Sequence, residues 1–148
     1  MCIRDSDMAI GRITVTGRVE YAEILAGYNV SLTPVNADAQ IGAVKVGGSW
    51  IASDLVAGAV CDAFPNFGYL SDASIGGGAP GILSKIASIT IGGQVFGTPS
   101  SVNAGDNFGF VAQAIGAVEI GGYTIAVPTN NTPLAVGETG DVDIHIIT

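Results

Sequence analysis

The stretch IGAVKVGGSW (41–50) decides the fold, because three close copies of it occur elsewhere in the chain. The copies are IGRITVTGRV (10–19), IASITIGGQV (86–95) and IGAVEIGGYT (115–124). In each copy two apolar residues flank one polar residue, as in Val44-Lys45-Val46, and glycine follows. Alternation with a period of two predicts a β-strand with one buried face, and the glycines predict sharp corners made with positive φ angles.

The first two copies match over a longer span. VEYAEILAG (19–27) aligns with WIASDLVAG (50–58) at the same offset that separates Ile10 from Ile41, which predicts a second short strand in each repeat. The isoleucine three residues before each apolar pair breaks the alternation and predicts a bend between two short strands. The spacing from Ile41 to Ile86 is longer, which places an insertion at residues 60–85.

A unit of strand, glycine corner, strand and loop describes one coil of a solenoid. We therefore predict an all-β fold, a right-handed parallel β-helix of about four coils with one long inserted loop. Lys45 should point to solvent, and two rows of side chains should stack inside the coils. The rows are Ile13, Val44, Ile89 and Val118, and Val15, Val46, Ile91 and Ile120. The alternative is an antiparallel β-sandwich, although its two-residue Asn-Gly or Asp-Gly hairpin loops are absent from the sequence.

Composition excludes several classes of protein. Charged residues make up 12% of the chain and glycine contributes 22 residues, which argues against disorder and against a helical bundle rich in surface ion pairs. The net charge is −8, and the basic residues form no cluster, so we predict no nucleic-acid partner. The five basic residues are Arg4, Arg12, Arg18, Lys45 and Lys85. No apolar run reaches the roughly 18 residues of a membrane-spanning helix.

The first residues differ in character from the repeats. MCIRDS (1–6) resembles the translated sequencing-adapter scars at the ends of reading frames from environmental DNA. We therefore expect residues 1–8 to be a non-native or disordered stub and residues 9–148 to be a single domain, a C-terminal fragment of a longer repeat protein. Cys2 would then be foreign, and Cys61 alone makes neither a disulfide framework nor a metal site.

The insertion VCDAFPNFGYLSDASIGGGAPGILSK (60–85) carries the first candidate site. Asp62, Asn66 and Asp72 offer the oxygen ligands that Ca²⁺ prefers, although their spacing fits no EF-hand. Phe64, Phe67 and Tyr69 would, with these oxygens, suit a calcium-ordered loop or a surface that stacks on sugars. The simpler interpretation, which we favour, is that the aromatic side chains pack back on the coil beneath. No other cofactor is predicted.

The last strand carries the second candidate site. Asp141, Asp143 and His145 alternate with apolar residues and share one strand face, where they suit metal binding or acid–base chemistry. The simpler interpretation is a terminal strand that keeps this polar face in water.

No catalytic residue is predicted at either place. A Ser-His-Asp triad would have to use His145, and no nucleophile-elbow motif accompanies it. Glu20 and Glu23 opposite Asp54 are the nearest approach to a glycosidase carboxylate pair, but solvated acids are common on coil surfaces.

Several of these stretches resemble a known class of repeat. IGAVKVGGSWIASDLVAG, IASITIGG, FGFVAQAIGAVEIGG and the closing GETGDVDIHII are similar to the parallel β-helical repeats of very large bacterial secreted or surface proteins. The resemblance covers about residues 9–147. It implies an extracellular or cell-surface protein with a structural or adhesive role and no catalysis, whose partners are adjacent coils of a longer chain, surface glycans or other cells. The alternative is a carbohydrate-acting β-helix enzyme, a polysaccharide lyase or hydrolase, or a glycan-binding module.

Overall fold

The computed structural model describes residues 8–62, 66–98 and 106–147, and these residues form strands, turns and loops without a helix. The strands of the first half are β1 (Met8–Val15), β2 (Val19–Glu20), β3 (Glu23–Ala26), β4 (Gln40–Val46), β5 (Trp50–Ile51), β6 (Asp54–Ala57), β7 (Ala59–Val60) and β8 (Ala73–Ser74). Those of the second half are β9 (Lys85–Ile91), β10 (Val95–Phe96), β11 (Phe108–Ala112), β12 (Ala114–Ile120), β13 (Tyr123–Ile125), β14 (Leu134–Ala135) and β15 (Val142–Ile146). The all-β class is therefore confirmed, and β1 begins at Met8. Across the described residues, no helix is long and apolar enough to cross a bilayer.

The first sheet is built from the four copies of the repeated phrase. Its order is β1-β4-β9-β12-β13, and the first four strands are parallel. The predicted rows are confirmed, because Ile13, Val44, Ile89 and Val118 pair in sequence, as do Val15, Val46, Ile91 and Ile120. Val44 and Val46 are buried and Lys45 is exposed, as predicted. Repetition of the phrase therefore places like side chains on one another.

The second stretch of the repeat also pairs in register, but as two strands rather than one. Val19 pairs with Trp50 in the second sheet, whose order is β10-β5-β2. Glu23 pairs with Asp54 in the third sheet, whose order is β14-β15-β11-β6-β3. The chain turns between the two strands at Tyr21 and Ala52, which have φ angles of 50° and 43°. The corner holds because Ser53 Oγ accepts a hydrogen bond from the Ala22 N–H at 2.9 Å.

The role predicted for most of the repeat glycines is wrong. Among the glycines that end the repeated phrase, only Gly121 and Gly122 have positive φ angles. At the corners of the second and third copies glycine is needed because successive repeats touch backbone to backbone, whereas a Cβ on Gly17 of the first copy would meet no atom within 4 Å. A Cβ added to Gly47 would lie 2.5 Å from the Thr16 carbonyl oxygen, and one added to Gly92 would lie 2.6 Å from the Gly47 oxygen. Glycine there provides space rather than an unusual φ angle.

The bend predicted after the offset isoleucine does not divide the strand. β4 runs without a break from Gln40 to Val46, so Ile41 and Val44 lie in one strand and are both buried. Gly42 lies between them, and a Cβ there would collide with the carbonyl oxygen of Gly11 on the neighbouring strand. The break in the alternation between Ile41 and Val44 therefore coincides with a close backbone contact at Gly42 and not with a break in the strand.

The fourth copy ends differently from the others. Gly121 and Gly122, with φ angles of 58° and 83°, form a two-residue turn that folds β13 back antiparallel on β12, with Ile120 opposite Tyr123. Positive φ at both positions is the requirement of a tight hairpin turn. β14 is likewise antiparallel to β15, so the first and third sheets are mixed. The Gly-Gly pair therefore makes a hairpin that we did not predict.

Two apolar clusters hold the sheets together. The main core draws on the first three sheets, and within it the Trp50 and Phe110 rings lie 5.2 Å apart. A fourth sheet is the antiparallel pair of β7 and β8. A smaller cluster lies on the outer face of the third sheet. Its buried members are Val56, Ala59, Phe67, Val111 and Ile147. Phe67 comes from the insertion, so the prediction that its ring packs back on the strands is confirmed, whereas Phe64 lies outside the described residues.

Candidate functional site

Residues 66–75, which we call the cover segment, lie against the outer face of the third sheet. Phe67 is fully buried there, and Gly68 follows with a φ of 94°. A Cβ on Gly68 would lie 2.6 Å from the Phe108 carbonyl oxygen, and one on Gly109 would lie 2.7 Å from the Gly68 nitrogen. The cover segment therefore touches β11 at a pair of glycines, and the side chains around this contact are shielded from water.

Asp72 organises the cover segment from within. Its Oδ2 accepts a hydrogen bond from the Gly68 N–H at 2.7 Å, and its own N–H donates to the Tyr69 carbonyl at 3.0 Å. Its Oδ1 is buried and has no hydrogen-bond partner in the part of the chain that the structure describes. Burial raises the pKa of Asp72, while the Gly68 N–H and His145 act in the opposite direction. The carboxyl group is thus removed from water, and its hydrogen bond to the Gly68 N–H and its contact with His145 hold the cover segment in place.

His145 meets Asp72 from the other side, on β15. Its Nδ1 lies 3.4 Å from Asp72 Oδ2, and its Nε2 lies 2.8 Å from Asn131 Oδ1. Both ring nitrogens face oxygen atoms, so a doubly protonated ring would donate to both. A neutral ring either donates from Nδ1 to Asp72 and accepts at Nε2 from the Asn131 NH₂, or donates from Nε2 to the Asn131 oxygen and accepts at Nδ1 from a protonated Asp72. Since the side chains of His145 and Asp72 have no exposed area, either arrangement ties the strand to the cover segment.

A second polar contact lies next to this pair. Asn107 Nδ2 donates to the Phe67 carbonyl at 3.1 Å and to Asp143 Oδ2 at 2.9 Å.

Asp54 is buried on β6, and its Oδ1 accepts a hydrogen bond from the Gly109 N–H at 2.8 Å. Burial raises the pKa of Asp54 to about 8 against the opposing effect of that N–H. Burial also raises the pKa of Asp143. Each of these carboxyl groups therefore binds its proton more tightly than a solvent-exposed aspartate does.

The structure brings together residues from both predicted candidate sites. Asp72 of the insertion and His145 of the last strand are in contact, with Asp143 nearby. The expectation that the polar face of the last strand lies in water is wrong for His145, which is fully buried, while Asp141 and Asp143 are half-buried. Asp62 is exposed and Asn66 is half-buried.

Asp141 belongs to a different contact. Its Oδ2 accepts a hydrogen bond from the Thr98 N–H at 2.8 Å, and Thr139 Oγ1 also donates to its carboxylate. It therefore ties the loop before β15 to the end of β10 and does not face His145 across the strand.

Sequence reasoning missed Asn107 and Asn131, and it placed Asp54 with surface acids. One signal was available for Asn107. The tripeptide Asn-Phe-Gly occurs at 66–68 and again at 107–109, and these two copies meet in the structure through Gly68, Gly109 and the bond from Asn107 to Phe67. Asn131 lies in a loop without any repeat, so nothing in the sequence pairs it with His145.

The described ranges contain no group of three or more His, Cys, Asp or Glu side chains arranged to hold a metal ion. Ca²⁺ binding at Asp62, Asn66 and Asp72 stays a prediction. Any such site would have to share Asp72 with the Gly68 N–H, which already occupies one of its carboxylate oxygens.

A groove beside the β12–β13 hairpin is open to solvent, unlike the buried contacts beneath the cover segment. It encloses about 260 Å³ between the β12–β13 hairpin and the loop that precedes β15, and we call it the hairpin groove. Its lining residues are Gly93, Gln94, Val95, Ile120, Gly121, Tyr123, Gly137 and Glu138. Tyr123 is 78% exposed, so its ring is open to a ligand, in contrast to the buried groups beneath the cover segment.

No protein-family model, curated protein or solved structure matches the chain.

Proposed function

We propose that the chain is a structural or adhesive segment of a bacterial extracellular or cell-surface protein, built as a right-handed parallel β-helix and without catalytic activity. The observation that carries this proposal is the in-register parallel pairing of successive repeats in three of the four sheets. A β-sandwich, by contrast, is made of antiparallel sheets. In a solenoid each repeat contacts its neighbours, and stability grows as repeats are added.

The end of the stack formed by the first repeat supports a role among further coils. β1, β2 and β3 are all edge strands, whereas the opposite ends of the first and third sheets carry the antiparallel strands β13 and β14. Ile10, Ile13 and Ile24 in the first repeat remain only partly buried. An edge with free backbone groups and unburied apolar side chains favours pairing with another strand. An adjacent coil of a longer chain is the partner that fits this end.

An added coil tests the proposal. We would insert a second copy of residues 9–39 directly ahead of residue 9, which continues the Ile10-to-Ile41 register. We expect a higher denaturant midpoint and slower amide hydrogen exchange in β1, because that strand gains a neighbour. The control insert carries aspartate at the copied positions of Ile13 and Val15. An insert that leaves both measurements unchanged, or a control that performs equally well, would overturn the proposal.

The absence of catalysis is proposed because the residues best suited to acid–base chemistry are used for packing. Asp72 and His145 contact each other beneath the cover segment and are closed to a substrate.

A glycan-binding module is the second candidate, since the hairpin groove offers an exposed ring in a preformed depression. Incubating the chain with a panel of polysaccharides distinguishes the carbohydrate-acting enzyme from a structural or adhesive segment. Release of reducing ends or of unsaturated products would contradict the absence of catalysis.

A further inference from the structure

We propose that the hairpin groove binds one pyranose residue of a neutral glycan. This inference rests on the adhesive part of the proposed function and names its ligand class. It depends on the shape of the groove, the chemistry of its walls and the way the loop is anchored.

The shape suits a flat ring. Val95 and Ile120 provide an apolar floor, and Gly93, Gly121 and Gly137 leave the walls without side chains at three points. The volume of about 260 Å³ lies just below the usual range for drug-sized ligands and is therefore suited to a single small ring.

The chemistry of the walls matches the two faces of a sugar. A pyranose carries C–H groups on its faces and hydroxyl groups around its edge. The exposed Tyr123 ring offers an apolar surface with a polar tip, to which the C–H face can pack. Gln94 and Glu138 are exposed at the rim, where an amide and a carboxylate can exchange hydrogen bonds with hydroxyl groups.

The groove is formed before any ligand arrives. The Glu138 N–H donates to the Val95 carbonyl at 3.1 Å, and the Gly97 N–H donates to Thr139 Oγ1 at 2.6 Å, which holds the loop against β10. The two-residue turn at Gly121 and Gly122 fixes the direction of β13 and thus of Tyr123. A preformed site loses little conformational entropy on binding.

The electrostatics favour a neutral ligand. Glu138 and the net charge of −8 disfavour acidic sugars. A quaternary ammonium ion is recognised best by a cage of several rings, whereas a single tyrosine lines this groove, open to solvent on one side.

The experiment is an NMR titration of the full chain with neutral oligosaccharides of glucose, galactose, mannose and N-acetylglucosamine, and with choline as the cationic comparison, each to about 10 mM. We expect at least one of them to shift the Tyr123, Glu138 and Val95 signals. Tyr123→Ala should weaken that binding about fivefold, because a stacked ring contributes roughly 1 kcal/mol. Tyr123→Phe should retain it, and Tyr21→Ala, which removes another exposed ring, is the matched control.

Three outcomes would overturn the inference: no saccharide shifts the groove signals, Tyr21→Ala weakens binding as much as Tyr123→Ala, or only choline produces the shifts. The last result would indicate a cation site instead. None of these outcomes touches the added-coil experiment, so a failure at the groove is distinguishable from a failure of the β-helix proposal.

Discussion

Inside the molecule, residues of the same apolar type pair from one repeat to the next, whereas on the outer face of the third sheet the residue type changes along the stack of repeats. Inside, a β-branched side chain of one repeat pairs with another in the next, as Val44 does with Ile89. Outside, one row across the third sheet reads Glu23, Asp54, Gly109 and Asp143. The two regions belong to the same repeats, so the difference reflects what each face has to contact.

Each interior side chain packs against the equivalent side chain in the repeat above and in the repeat below, and a β-branched apolar residue at every such position packs well against both. The outer face has to fit the cover segment alone, which is not repeated. Polar groups are tolerated there because each finds a specific partner, as Asp54 finds the Gly109 N–H and Asp143 finds Asn107. Specific chemistry can therefore accumulate on the outside while the inside stays uniform.

The largest effect is expected from a charge in the interior. Val44→Asp would bury a carboxylate among apolar side chains and should cost about 4 kcal/mol or more, enough to unfold a marginal domain. Lys45→Glu on the exposed neighbouring position should stay within about 0.5 kcal/mol. The measurement is urea denaturation of both variants. Equal destabilisation by the two changes would contradict the register of the first sheet.

Breaking the polar contact under the cover segment should cost somewhat less. His145→Ala removes one of the two partners of Asp72 Oδ2 and leaves a cavity, with an expected loss of about 3 kcal/mol. Adding Asp72→Asn should recover part of it, because the buried carboxylate is then neutral. A double-mutant cycle measures the coupling. Additive losses, with no coupling between the two positions, would show that the pair does not act as a unit.

The raised carboxyl pKa values predict how stability depends on pH. The pKa of Asp54 is about 8 in the folded chain and about 3.9 when unfolded, so the folded state binds the proton more tightly. Its contribution is complete below about pH 4 and is lost as pH rises towards 8, with Asp72 and Asp143 acting in the same direction. Asp54→Asn should flatten this slope and add on the order of 2 kcal/mol at pH 8.

Denaturant midpoints of the wild type and of Asp54→Asn between pH 4 and 8 test this dependence. Glu119→Gln is the control, since Glu119 is an exposed acid in the first sheet, away from Asp54 in the third. A wild-type stability that rises over this interval would contradict the assignment.

The smallest effect is expected at the exposed end of the insertion. Asp62→Ala should change the free energy of unfolding by less than about 0.5 kcal/mol in calcium-free buffer, because Asp62 is exposed. Thermal melts in millimolar calcium and in chelator test the predicted Ca²⁺ site as well. A calcium-dependent rise in Tm that Asp62→Ala abolishes would identify this residue as a ligand.

The repeated phrase was enough to predict the rows inside the first sheet. Period-two alternation states which side chains point inward, and repetition states which of them meet, so Ile13, Val44, Ile89 and Val118 were identified together. The position of Lys45 in solvent followed from the same alternation. Such features depend on local periodicity and on neighbours at a fixed offset, both of which are written in the chain.

Tertiary structure alone decided where the non-repeated residues lie. The insertion has no periodicity to orient it, and its packing on the third sheet brings Asp72 to His145 across 73 positions of the chain. The reason that glycine occupies Gly47 and Gly92 also lies outside the local sequence, because it is the approach of a neighbouring backbone. The Gly-Gly pair after Ile120 makes a hairpin because the chain there pairs back on β12 instead of turning into a further sheet. Contacts between segments that are distant in sequence, rather than local preferences, set these features.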